Sequence, residues 1–298
     1  METLNFCPIC EKNNTVHFLT AIDHFLTKEK FTIVSCQNCG FKFLNPRPAK
    51  NEIFHYYNSE EYISHDAEKK SFFSMFYKVI RKSAIKDKYR ILRTFSSGNN
   101  VLDIGCGTGE FLSQCRLKGM TVCGIEPNDK ARNYAGTVNN IPVYEESELE
   151  KLQGSSFDII TMWHVLEHVH NLNERIQKIG QLLKPDGILI IAVPNSNSWD
   201  AIHYQDAWAA YDPPRHLYHF NSDTIQLLAK KNNFILEKIL PLKWDAFYIS
   251  LLSEKYARGT NSFVRATING LRSNFYASGP EKNYSSQIFI LKAGKTAK

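Results

Sequence analysis

No apolar run in this sequence approaches the roughly 18 to 20 residues that a bilayer-spanning helix requires, so a helical membrane span is excluded. Long blocks of one charge are also missing. Basic residues occur scattered or as doublets such as Lys69-Lys70 and Lys230-Lys231, and 36 Lys+Arg against 30 Asp+Glu leave a formal charge of only +6. That modest excess suits an anionic small molecule and does not call for nucleic acid. The start, METLNFCPIC, carries Glu2 and two cysteines where a secretory signal would place a basic region and an apolar stretch, so a soluble, cytoplasmic chain is expected. Near the other end, Gly294-Lys295-Thr296 lacks the upstream glycine of a phosphate-binding loop. Glycine (15) and proline (11) are ordinary in number, and 43% hydrophobic residues suffice for a sizeable core. The 298 residues fit two domains, or one domain with an appendage, at about 150 residues each.

Seven cysteines suit a secreted disulfide scaffold poorly, and four of them form two tight pairs. Cys7-Pro8-Ile9-Cys10 and Cys36-Gln37-Asn38-Cys39 stand 25 residues apart, with the strand-like Phe31-Thr32-Ile33-Val34 between them. Two such turns can bring four thiolates to the corners of a tetrahedron, so Cys7, Cys10, Cys36 and Cys39 are expected to hold a structural Zn²⁺. A redox role would need one pair alone, at a helix start. Cys106, Cys115 and Cys123 lack partner spacing and read as small buried hydrophobes.

The module occupies residues 1–48 and closes on Asn45-Pro46-Arg47-Pro48. Residues 49–98 read as a helical connector, with Phe72, Met75, Phe76, Val79 and Ile80 at helical intervals. From 99 to 298 short apolar runs alternate with longer periodic stretches, the pattern of a parallel sheet covered by helices on both faces. A loop rich in Tyr, Trp and His spans 199–220, and Gln287 to Leu291 is expected to add a last strand.

Within that region Val101-Leu102-Asp103-Ile104-Gly105-Cys106-Gly107-Thr108-Gly109 runs from a strand through a glycine turn into a helix, which lets backbone N–H groups approach a ligand. A dinucleotide site wants G-x-G-x-x-G, but position 110 is Glu, which disfavours pyrophosphate. Seventeen residues after Gly109 the next strand ends in Glu126, a carboxylate able to accept from both hydroxyls of a ribose. The expected ligand is therefore nucleoside-like and without pyrophosphate.

These residues, with FDIITMWHVLEHV and LLKPDGILIIAVPN following in order, resemble the class I S-adenosylmethionine-dependent methyltransferases. The resemblance implies an α/β, doubly wound, mostly parallel seven-stranded Rossmann-like sheet, here with a small zinc-ribbon-like module ahead of it. It further implies that Asp103 orients the methionine amino group, that Gly105, Gly107 and Gly109 let S-adenosylmethionine lie against the backbone, and that Glu126 holds its ribose. Pro127 would offer an apolar face to the adenine, and Trp163 or His164 would line the methionine arm. The four-cysteine module followed by a tyrosine-rich stretch, with Tyr57 and Tyr62 as candidate acceptor contacts, looks like bacterial methyltransferases of sugar and polysaccharide pathways. Their carbon-methylating members would place Glu-His where this chain has Arg215-His216.

Methyl transfer needs an aligned nucleophile and a base for its proton. His216 is the first candidate, since its loop follows the fifth core strand and an imidazole can take a proton at neutral pH. Arg215 is a candidate for binding an acceptor carboxylate or phosphate, or for pairing with Asp212, and Tyr218 is a further acceptor contact. Glu167-His168 is the rival pair, read as lying on the helix after the fourth core strand, where His168 shares a face with His164. It is similar to a Glu-His of quinone-pathway O-methyltransferases. No Asn-Pro-Pro-aromatic stretch follows that strand, which disfavours amino-group methylation of nucleic-acid bases or proteins. The expected function is methyl transfer to a hydroxyl or activated carbon of a small, sugar-containing acceptor. An RNA methyltransferase, a quinone-type O-methyltransferase and a non-catalytic cofactor-binding scaffold are the alternatives.

Overall fold

The computed structural model describes residues 1–57, 72–260 and 262–294, and the side chains of helix residues 72–82 are outside that description. Tyr62, the Lys69-Lys70 doublet and the end of the chain from Lys295 therefore lie outside the described residues, as do the side chains of the expected connector stripe from Phe72 to Ile80.

Two sheets organise the molecule. The larger is built from β4 (Asn100–Ile104), β5 (Thr121–Ile125), β6 (Val143–Tyr144), β7 (Phe157–Trp163), β8 (Leu183–Pro194), β10 (Phe234–Pro241) and β11 (Ser286–Ala293). Its strand order is β10-β11-β8-β7-β4-β5-β6. The β7–β4–β5–β6 and β7–β8 pairings are parallel, and β11 enters antiparallel between β8 and β10. This is the mostly parallel, seven-stranded Rossmann-like sheet expected. In β8 the run Gly187–Pro194 is buried throughout, as a strand covered on both faces must be.

Helices α1 (Phe72–Phe95), α2 (Glu110–Leu117), α3 (Asp129–Thr137) and α4 (Leu172–Leu182) are followed by α5 (Trp199–Tyr204), α6 (Ser222–Lys231), α7 (Asp245–Arg258) and α8 (Phe263–Ala277). Local chemistry starts several of them. Asn128 accepts from the Ala131 N–H to cap α3, and Asn221 with Thr224 forms a reciprocal capping box for α6. In α4, Leu172, Ile176, Ile179 and Leu182 form one buried stripe.

The smaller sheet is antiparallel, in the order β1 (Thr15–Ile22), β2 (Lys30–Cys36), β3 (Lys42–Leu44) and β9 (Tyr218–His219). Its last strand comes from the late loop, with Lys42 opposite His219 and Phe43 opposite Tyr218. One hydrophobic core accordingly runs from Phe31, Ile33, Phe41 and Phe43 of the cysteine-bearing segment to Leu102, Ile104 and Ile191 of the large sheet. The late loop was expected only to border a ligand; part of it instead stitches the two sheets together.

Candidate active site

The turn after β4 has the backbone that its glycines foretell. Gly105, Gly107 and Gly109 have φ of 73°, 54° and 77°, in the left-handed region where an L side chain is strained. At Gly105 a Cβ would also come within 2.3 Å of Val165 Cγ2, so the turn and the segment after β7 lie in direct contact. At Gly107 a Cβ would point into open space, and its N–H donates to Glu126 Oε2 at 2.8 Å. Glu126 also accepts from the Asn128 N–H at 2.9 Å, and burial pushes its carboxyl above the usual range. Pro127 beside it is exposed.

Asp103 is buried under the turn, accepts from the Thr161 hydroxyl at 2.5 Å, and is pushed up by burial to about 7. The nearby Lys88 ammonium opposes that shift, and it also stands 4.6 Å from the centre of the Trp163 ring. Trp163 is packed edge-on against Phe111, and its indole N–H is buried without a hydrogen-bond partner. A glycine that opens outward, paired carboxylates and an unsatisfied indole donor all fit a nucleoside carrying a polar tail, which is the chemistry of S-adenosylmethionine. Lys88 had no signal in the sequence, since its helical stretch offers many lysines.

Beyond the end of β7 a cavity of about 610 Å³ opens, lined among others by Phe25, His164, Glu167, His216, Asp245 and Tyr248. His164 has φ 57°, a left-handed turn that is unusual for a side-chain-bearing residue. Its Nε2 lies 2.9 Å from Asp245 Oδ2, and its Nδ1 3.5 Å from Glu167 Oε1. Burial alone would lower its pKa, but the two carboxylates outweigh burial and raise it to about 10, which holds an imidazolium. The expected helix carrying His164 and His168 on one face is corrected here. Leu166–His168 form a single 3-10 turn and α4 begins only at Leu172, because the left-handed turn at His164 drives Val165 against Gly105.

His168 Nδ1 lies 2.9 Å from the Tyr57 hydroxyl and 3.0 Å from the Arg215 carbonyl. A carbonyl can only accept, so Nδ1 carries the proton. Burial and the adjacent His216 press His168 down to about 4. His216 Nδ1 donates to the Ala210 carbonyl at 2.8 Å, which leaves Nε2 as the lone-pair nitrogen of the neutral ring. The two imidazoles meet edge-on with centroids 4.6 Å apart.

Of the two readings of Arg215, pairing with Asp212 is the one found, and the acceptor contact expected of Tyr218 is corrected. Arg215 borders the cavity, but its guanidinium donates to Asp212, to Asp23 and to the Tyr56 carbonyl, so its charge is spent within the protein. Tyr218 is buried in β9, where its hydroxyl donates to the His170 carbonyl and accepts from Arg47, both at 2.8 Å. Asp23 and Asp245 escaped the sequence reading because their partners are distant in the chain.

In the N-terminal segment the Sγ atoms of Cys7, Cys10, Cys36 and Cys39 all lie within 4.8 Å of one another. The Cys7–Cys39 and Cys10–Cys36 separations are 3.6 and 3.5 Å. A regular tetrahedron of sulfurs about 2.3 Å from zinc has edges of about 3.8 Å, so the four thiols fit that metal. Burial would raise Cys36, but the backbone N–H groups of Cys39 and Asn38 outweigh it and bring the thiol to about 7.

A family model described as "Methyltransferase domain" matches residues 77–239. A ubiquinone biosynthesis O-methyltransferase of Rickettsia bellii (strain OSU 85-389) is 34% identical over 122 residues, 39% of this chain and 50% of the relative. One from Actinobacillus pleuropneumoniae serotype 7 (strain AP76) is 37% identical over 110 residues, 33% and 47% of the two chains. The chain thus spans about half the length of the curated relatives it matches. Among solved structures, a magnesium protoporphyrin IX methyltransferase from Synechocystis PCC 6803 with bound SAH superposes with a TM-score of 0.54 at 15% identity, covering 83% of this chain and all of that one. That likeness is one of fold. With the family match extending over more than half of the 298 residues, and with the glycine turn, its acidic partner and the sheet order in agreement, the chain belongs to the methyltransferase-domain family.

Proposed function

We propose that this protein transfers a methyl group from S-adenosylmethionine to a hydroxyl or activated carbon of a small acceptor held in the cavity beyond β7. The observation that supports this reading is adjacency: Val165 touches the glycine turn, while His164, one residue earlier, lines the cavity. Cofactor and acceptor sites therefore share the C-terminal end of one strand, where open α/β sheets bind ligands.

In this reading Glu126 holds the ribose, Asp103 orients the amino group, Gly105, Gly107 and Gly109 provide the backbone bed, Pro127 flanks the adenine, and Trp163 borders the methionine arm. S-adenosylmethionine, when bound, supplies an electrophilic methyl group. His216 takes the acceptor's proton at Nε2, Ala210 keeps its proton on Nδ1, and His168 supports the ring from the side. The His164–Asp245 pair supplies a fixed dipole on the cavity wall. The walls mix Phe25 and Tyr248 with these polar groups, which suits a ring bearing hydroxyls and agrees with a sugar-containing acceptor.

A quinone-type O-methylation is the second reading, favoured by the names of the relatives and by one further feature. Glu167, His168 and His216 each place a ligand atom within 4.8 Å of the others, so they could hold a divalent cation. Residues 1–48 are read as a zinc module and 49–98 as a connector leading into the methyltransferase domain, with zinc on Cys7, Cys10, Cys36 and Cys39 bracing the segment. Incubation with methyl-labelled S-adenosylmethionine and fractionated cell extract tests the function. A labelled sugar-containing product supports the first reading, a labelled phenol the second, and tight cofactor binding with no labelled product contradicts both.

A further inference from the structure

Helix α8 is amphipathic in the inverse sense. Its side toward the protein carries Ala266, Asn269, Gly270, Ser273 and Ala277, all buried, whereas Val264, Ile268, Leu271 and Phe275 point outward. At 3.6 residues per turn these four lie within about 60° of arc, opposite the buried side. They are 72, 44, 57 and 74% exposed. In α4 the rule runs the usual way.

Polar bonds and close contact through small residues hold this helix down. Asn269 Nδ2 donates to the Tyr204 hydroxyl and to Glu254 Oε1, both at 2.9 Å. Ser273 donates to Asp200, which also accepts from Trp208 and Ser285. Phe247 of α7 packs so closely on Gly270 that a Cβ there would lie 2.6 Å from its ring. The outward apolar stripe is therefore a fixed feature of the surface, and contiguous exposed apolar side chains are what an interaction face presents.

Charge identifies its occupant. Exposed Arg265 and Arg272 lie two turns apart along one edge of the stripe, and exposed Lys243 lies beside the last turns of α8, where Asn274 donates to its carbonyl. No acidic residue occurs between Ser262 and Pro280. Antiparallel pairing of two copies through this face would bring Arg265 of one toward Arg272 of the other. Anionic headgroups instead complement the arginines while acyl chains receive the stripe, as for helices lying in a membrane interface. No helix of the described residues is long and apolar enough to cross a membrane.

We propose that the outward face of α8, formed by Val264, Ile268, Leu271 and Phe275 with Arg265 and Arg272, docks the protein on an anionic phospholipid surface. The neighbouring α7 carries Tyr248, which is half exposed and also lines the cavity beyond β7. The docking itself does not depend on the methyl-transfer reading.

The test is co-sedimentation of the full chain with vesicles of equal parts phosphatidylglycerol and phosphatidylcholine, against phosphatidylcholine alone. The wild type is expected to pellet with the anionic vesicles and to stay largely in solution with the neutral ones. Leu271→Ser/Phe275→Ser should lower partitioning by about tenfold or more at unchanged melting temperature, because both side chains are exposed. Arg265→Gln/Arg272→Gln should remove most of the preference for anionic vesicles. Wild-type protein left in the supernatant with anionic vesicles, or binding unchanged in the serine variant, overturns the proposal. So does a micromolar dimer, seen by sedimentation velocity, that the serine variant dissociates, since the face then belongs to a second copy.

Discussion

Arg215 and Asp23, separated by 192 residues, form an ion pair 2.8 Å long that is shut off from solvent, with side chains 2 and 0% exposed. Asp23 also accepts from the backbone N–H groups of Phe25, Leu26 and Thr27, so a single carboxylate shapes the turn between β1 and β2 and fastens it to the late loop. The turn contributes Phe25 to the cavity wall and the loop contributes His216. The cysteine-bearing segment is in this way a structural part of the cavity wall.

Removing one partner of such a pair leaves a buried charge uncompensated. Asp23→Ala should reduce the unfolding free energy by about 3 to 5 kcal/mol, measured by denaturant titration. Asp23→Asn, which keeps part of the turn's hydrogen bonding, should cost less. A change within about 0.5 kcal/mol, the range of ordinary surface substitutions, would mean the pair contributes nothing to the fold.

The glycine turn, Glu126 and the strands of the large sheet were legible in the sequence because each depends on local chemistry: positive φ at Gly105, a carboxylate at a strand end, and apolar runs such as Ile188–Val193; the mostly parallel, doubly wound sheet came from the family resemblance. The smaller sheet was only partly so. Strand β1 buries little of itself, and β9 is two residues long and exists only by pairing with β3. The segment His164–His168 reads as part of the helix after the fourth core strand, with His168 four residues from His164, but His164 turns left-handed and Val165 packs on Gly105. Asp245 and Lys88 reach the site through tertiary packing that no local pattern records.

Glu126→Ala should weaken S-adenosylmethionine binding about ten- to a hundredfold, equivalent to about 1.5 to 3 kcal/mol, without loss of fold. Isothermal titration calorimetry checks this. Unchanged affinity would place the ribose elsewhere.

Asp103 should give S-adenosylmethionine binding a pH dependence. Burial raises its carboxyl from 3.8 to about 7, so the free protein takes up a proton there that the unfolded chain does not hold between those values. Its contribution to stability is therefore present at low pH and is lost as pH rises through about 7. Pairing with the cofactor's ammonium needs the ionised form, so affinity should fall as pH drops below about 7. In Asp103→Asn the affinity should be lower and nearly flat over that range. A wild-type profile as flat as the variant's would remove Asp103 from the amino-group site.

For the metal, one zinc per chain is expected in the purified protein by elemental analysis. Cys36→Ser should lower its content and destabilise the N-terminal segment more than the large sheet, as read by hydrogen exchange. Full zinc retention in a Cys36→Ser/Cys39→Ser variant would rule out the four-sulfur site.

The most direct test of the account is methyl transfer from labelled S-adenosylmethionine to the acceptor recovered from extract, measured for wild type and His216→Ala alongside cofactor affinity. Loss of the base should cut turnover by about 10² to 10⁴, with cofactor affinity nearly unchanged and with His168→Ala milder. A greater loss in His168→Ala would move the chemistry to the Glu167-His168 pair. Undiminished turnover in His216→Ala, or no transfer by the wild type to any fraction, would contradict the account.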